Sequence, residues 1–116
     1  MPDVDALTRR LRAFAVERDW DQFHTPKNLA MALSVEAAEL LELFQWLTPE
    51  QSRQVGNDLP HNAVADELAD VMIYLVRLAD VLGIDLDAAV ETKLAKNAAK
   101  YPADVVRGSA SKREES

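Results

Sequence analysis

PKNLAMALSVEAAELLELFQWL, residues 26 to 47, is the stretch that decides the fold. Thr25 supplies a capping hydroxyl and Pro26 suits the first helical position, so a helix is predicted from Pro26 to about Trp46. Leu29, Leu33, Leu40, Leu43 and Leu47 recur at helical intervals and line one side of it. Advancing about 100° per residue places Glu36 in the middle of that stripe. A carboxylate thus occupies a face meant for the core. The same anomaly returns in HNAVADELADVMIYLVRLADVL, residues 61 to 82, a further long helix stopped by Gly83. Glu67 lies there between Val64, Val71, Tyr74 and Leu78. Each inward glutamate has an acidic partner three positions on, Glu39 and Asp70, at an adjacent point of the same face.

Working outward, Leu7, Leu11, Phe14 and Ala15 repeat at helical spacing from Val4 to Arg18, with Asp3 placed to cap. Asp19 to Thr25 breaks the pattern as a loop rich in aromatic and polar groups. Thr48-Pro49-Glu50 opens a short helical turn before a polar linker, Gly56 to Pro60, expected to be mobile. Asp85 caps a last helix from Leu86 to about Lys100, which Pro102 ends. The fold class is all-α, a four-helix bundle over residues 1–104, followed by a flexible, disordered polar tail over 105–116. Hydrophobic residues at 48% and only three glycines in 116 positions agree with helix over sheet. The net charge of −7 argues against nucleic acid polymers and anionic membranes, which need a basic footprint. No cysteine is present, which excludes disulfides and thiolate zinc sites. No apolar run approaches the roughly 20 residues of a membrane span, so a soluble, cytoplasmic protein is expected.

Acidic residues on helices are usually solvated, and one such pair would mean little. Two pairs, each centred on the apolar stripe of a different helix, need positive charge to offset their desolvation. A bound cation supplies it, and an all-oxygen set selects Mg²⁺, Mn²⁺ or Ca²⁺. Neither His24 nor His61 has the Glu-x-x-His spacing of a di-iron site. On the last helix the inward stripe changes from Leu86, Ala89 and Val90 to Lys93, Asn97 and Lys100, a basic end suited to phosphate. Late lysines also complement a helix dipole, which leaves Asn97 unaccounted for. Trp20, Trp46 and Tyr74 offer faces on which a base could stack, or core and interface packing, and His24 and Asn28 offer hydrogen bonds.

Glu-Ala-Ala-Glu-Leu-Leu-Glu at 36–42, Asp-Glu-Leu-Ala-Asp-Val-Met-Ile-Tyr-Leu at 66–75 and Lys-x-x-x-Asn-x-x-Lys-Tyr-Pro at 93–102 resemble the MazG-like all-α nucleoside triphosphate pyrophosphohydrolases. Arg-Asp-Trp-Asp-Gln-Phe-His at 18–24 and Phe-Gln-Trp at 44–46 look like its dCTP pyrophosphatase branch. The resemblance implies hydrolysis of a (deoxy)nucleoside triphosphate, dCTP or a related or modified pyrimidine nucleotide, to monophosphate and pyrophosphate. It implies Mg²⁺, with Mn²⁺ as the alternative, on Glu36, Glu39, Glu67 and Asp70. Glu39 would activate the water, Lys93, Asn97 and Lys100 would contact phosphates, and Trp20, His24, Asn28, Trp46 and Tyr74 would surround base and sugar. Leu11 departs from the pattern, since a related animal enzyme has histidine there. A homo-oligomer, tetramer or dimer, is also implied and suits the wide apolar arc of Val71, Met72, Leu75 and Ala79. The competing reading is a non-catalytic helical module that binds metal or nucleotide.

Overall fold

A computed structural model describes residues 3–54 and 61–109. Among them the elements are α1 (Val4–Glu17), a 3₁₀ turn (Asp21–Phe23), α2 (Pro26–Phe44), α3 (Pro49–Ser52), α4 (His61–Leu82), α5 (Leu86–Lys100) and α6 (Ala103–Val106), with no strand. The fold is all-α, and the four long helices are those expected from sequence. The predicted linker at 56–60, and residues 110–116 of the predicted tail, lie outside the described residues.

Side-chain caps start the helices where the sequence offers them. Asp3 accepts from the amides of Asp5 and Ala6, Thr25 from Asn28, and Asp85 from Ala88. Thr48 and Gln51 form a reciprocal capping box on α3. Two helices end in the same way, with a residue of positive φ and a long backbone hydrogen bond reaching past it. Gly83 (φ 69°) lets Ile84 N–H reach the Ala79 carbonyl at 2.8 Å after α4. Asp19 (φ 53°) does this after α1, with Trp20 N–H on the Ala15 carbonyl at 2.9 Å. Aspartate tolerates this conformation better than most residues, so α1 stops without the glycine that marks the end of α4.

Two differences from the expected boundaries matter. α2 ends at Phe44, so Trp46 lies beyond the helix. A single helical turn, α6, follows Pro102 where no element was expected, and it crosses the 104/105 boundary. Pro102 itself precedes that turn as its N-cap residue, so the proline that ends one helix begins another.

The chain forms two compact units, 1–84 and 85–116. In the first, α4 packs mainly against α2 and also against α1. Its core is small: Ala15, Leu29, Val76 and Ala79 are the buried apolar residues among those described. Arg77 is buried with them. The second unit holds α5 and α6.

Candidate metal centre and adjoining pocket

One face of α4 carries Glu67, Asp70, Tyr74 and Arg77, spaced three, four and three residues apart, so all four fall within about 80° of helix surface. The facing side of α2 carries Asn28, Ala32, Glu36 and Glu39 in the same manner. Carboxylate oxygens of Glu36, Glu67 and Asp70 lie within 4.8 Å of one another, close enough to share a cation. Glu39 stands within hydrogen-bonding reach of Glu36 and completes the acidic group without joining that tightest triad.

Two oxygens in the group are orphans. Glu36 Oε2 and Glu67 Oε2 are buried and have no hydrogen-bond partner. Buried polar atoms are almost always paired, so two unpaired acceptors side by side mark a place where a cation belongs. Lost hydration, with Glu39 and Glu67 close by and the charge of Asp70, pushes the Glu36 carboxyl up to about 7. Glu67 is raised for the same first reason, with Glu39 and Asp70 adding repulsion. The donors are all carboxylate oxygens, which fits a hard divalent ion. Glu36, Glu67 and Asp70, with Glu39 beside them, are the residues that would hold it.

One helical turn along the same groove is a cavity of about 320 Å³ lined by Trp20, Phe23, His24, Asn28, Leu29, Ala32 and Tyr74. Ala32 precedes Glu36 by four residues, and Tyr74 follows Asp70 by four. The two helices run in opposite directions, so both count the same step, about 6 Å. The 3₁₀ turn brings Phe23 to the wall, while Trp20 makes edge contacts with Phe14 (ring centroids 5.7 Å apart) and His24 (6.3 Å). Trp20, His24, Asn28 and Tyr74, which sequence grouped as a base and sugar site, therefore share one pocket. Trp46 does not line it and is 87% exposed in the single chain. The resemblance groups it with the pocket residues, and in the single chain it follows the end of α2 at Phe44.

Lys93 and Asn97 lie on α5, and Lys100 ends it with its ammonium 5.5 Å from the Tyr101 ring. All three belong to the second unit.

An ion-pair network went unread in the sequence. Arg77 donates to Asp21 Oδ1 (2.6 Å), His24 Nδ1 (3.1 Å) and Asp80 Oδ2 (3.1 Å). Asp80 also takes two bonds from Arg12, at 2.8 and 2.5 Å. The network ties the 3₁₀ turn and α1 to α4 and lines a second cavity of about 420 Å³ with His24, Val16 and Val81. An arginine in an otherwise apolar stretch of α4 was the available signal.

A helical groove with an acidic cluster suited to a cation at one end and an aromatic, hydrogen-bonding pocket at the other fits the class of metal-assisted small-molecule sites. The chain belongs to the MazG-like family, whose model matches residues 31–115. It is 49% identical over 112 residues to dCTP pyrophosphatase 1 of Rattus norvegicus and of Homo sapiens, covering 96% of this chain. It spans 66% of the length of those relatives. A pyrophosphatase of known structure from Archaeoglobus fulgidus superimposes with a TM-score of 0.79 at 44% identity, covering 84% of this chain and 91% of that one.

Proposed function

We propose that the chain is a divalent-metal-dependent nucleotide pyrophosphohydrolase that cleaves (deoxy)nucleoside triphosphates, dCTP or a related or modified pyrimidine nucleotide foremost, to monophosphate and pyrophosphate. The observation that carries this reading is the pair of orphan carboxylate oxygens one helical turn from a base-sized pocket. That step of about 6 Å is of the order of a sugar between a base and its first phosphate. The printed activities of the relatives, dCTP pyrophosphatase and pyrophosphatase, support it.

Glu36, Glu39, Glu67 and Asp70 are proposed as metal ligands. Mg²⁺, or Mn²⁺ in its place, would offset their charge and that of the phosphates. Glu39 would accept a proton from the attacking water at a carboxylate oxygen as the new bond forms to the α-phosphorus. The bridging bond to the β-phosphate then breaks and pyrophosphate leaves. Trp20, His24, Asn28 and Tyr74 would hold base and sugar, with Trp46 retained on the resemblance alone. Lys93, Asn97 and Lys100 are proposed phosphate ligands from their basic stripe and the motif they form. Residues 1–104 would be the catalytic domain, 105–116 its tail, and the assembly a homotetramer, or a dimer, in the cytoplasm. No described helix is long and apolar enough to cross a membrane, and the net charge of −7 disfavours nucleic acid polymers as partners.

Pyrophosphate release from dCTP, measured with and without Mg²⁺, tests the reading. Glu36→Gln and Asp70→Asn should each lower turnover at least about a hundredfold while circular dichroism stays helical, since even residues behind metal ligands are worth roughly 10- to 100-fold. A folded protein that binds Mg²⁺ and dCTP but never releases pyrophosphate would instead be a binding module.

A further inference from the structure

Two polar groups on the wall of the Trp20–Tyr74 pocket are each held in one hydrogen-bonding sense by a group they bind. Arg77 Nε meets His24 Nδ1 at 3.1 Å. A guanidinium has only donors, so Nδ1 must present its lone pair, and the ring proton resides on Nε2. His24 lines both cavities, whereas Arg77 lines only the second, which leaves Nε2–H as the donor the ring can offer to the first. Arg77 cannot easily turn away, because Asp21 and Asp80 grip its other nitrogens. Asn28 is fixed in the opposite sense. Its side-chain nitrogen donates to the Phe23 carbonyl at 3.0 Å, and its backbone N–H goes to Thr25 Oγ1. Asn28 Oδ1 accepts no hydrogen bond among the described residues.

We infer that His24 Nε2–H and Asn28 Oδ1 form a donor–acceptor pair that reads an amidine edge, a ring-nitrogen acceptor beside an exocyclic amino group, with Arg77 as the positioning residue. The inference deepens the proposed hydrolase and rests on this pocket being its base site. Cytosine and adenine carry such an edge. Uracil and thymine carry the reverse, a ring N–H beside a carbonyl, which would set donor against donor and acceptor against acceptor. Sites built on hydrogen bonds reject such partners strongly because their own groups are left unpaired. Burial, then the charge of Arg77, lowers the His24 pKa below its usual value against the opposing pull of Asp21, while Arg12 and Asp80 face it across the second cavity. The neutral, single-donor ring is thus the form present at pH 7.

The test combines a spectroscopic and a kinetic measurement. In wild-type protein labelled with ¹⁵N-histidine, His24 should show Nε2 protonated and Nδ1 bare at pH 7, and Arg77→Lys should blur that preference. Titration with dCMP should move the His24 Nε2 resonance, and an equal concentration of dUMP should not. In pyrophosphate release from dCTP, dATP, dUTP and dTTP, Asn28→Leu should lower the dCTP to dUTP ratio of kcat/KM about tenfold, the size of one lost hydrogen bond. A ring protonated at Nδ1, an equal response to dCMP and dUMP, or an unchanged ratio in Asn28→Leu overturns the pair. Should Arg77→Lys fail to fold, the wild-type spectra and Asn28→Leu decide alone. If no triphosphate is hydrolysed, the hydrolase reading falls, and the dCMP and dUMP titration still judges the pair by itself.

Discussion

Glu36 is the residue at which sequence, energetics and chemistry meet most tightly. Burial and the neighbouring carboxylates push its carboxyl up to about 7 from an ordinary value of 4.5. A carboxylate whose pKa is raised by folding binds its proton more tightly in the folded state, so it costs stability once it must ionise. That cost is absent below about 4.5, grows between 4.5 and 7, and is complete above 7. In chelator at pH 7.5, Glu36→Gln should therefore melt higher than wild type. Added Mg²⁺ should raise the wild-type Tm and leave the variant's nearly unmoved. Equal Mg²⁺ shifts in both would remove Glu36 from the ligand set. Glu36 and Glu67 were legible because a carboxylate on a leucine stripe is a local contradiction that a helical wheel exposes. Arg77 was not, since what explains its burial is Asp21, 56 positions away, and no period in the sequence encodes that meeting.

At the level of elements, helices and caps were readable because they depend on neighbours within four residues. The apolar stripes showed that both long helices face a core, and the structure pairs α4 with α2. What fixes the 3₁₀ turn on α4, and so shapes the pocket, is the Arg12–Asp80–Arg77–Asp21 network. Asp80 is lowered from its ordinary 3.8, first by the hydrogen bond from Arg12. Its contribution to stability is thus fully present above about 4 and is lost as pH falls through the lower folded value. Asp80→Asn should destabilise by about 1–3 kcal/mol at pH 7, toward the low end because Arg12 is 59% exposed and its pairing is screened by water. The difference from wild type, followed by urea unfolding, should shrink as pH drops from 5 to 2.5. A constant difference across that range would mean that Asp80 acts through packing alone.

For the whole molecule, the small core is the dominant fact. Four buried apolar residues among those described make a small core, and Leu68, Leu75 and Leu82 recur at seven-residue intervals on α4 yet are 39–53% exposed. On α2, Met31, Val35 and Leu41 are 54–61% exposed. Such surfaces are covered in stable helical proteins, and the proposed homotetramer would cover them. Leu75→Glu should shift the sedimentation of the protein to a smaller species and lower Tm by several degrees; an unchanged oligomer would take this stripe out of the interface. Sequence could show that these helices have too many apolar sides, but not which copy covers which. That choice depends on shapes spread over several elements.

The groove between α2 and α4 is written along two antiparallel helices, and this limits how the family can vary. A residue inserted between Asn28 and Glu39, or between Glu67 and Arg77, would turn everything beyond it by about 100° and shift it about 1.5 Å. One edge of the groove would lose step with the other, uncoupling the acids from the pocket. Substitution can tune this site, but changes of length are confined to the connections outside it. Among natural variants of this chain, insertions and deletions should gather between α2 and α4 and after α5, leaving both intervals at constant length.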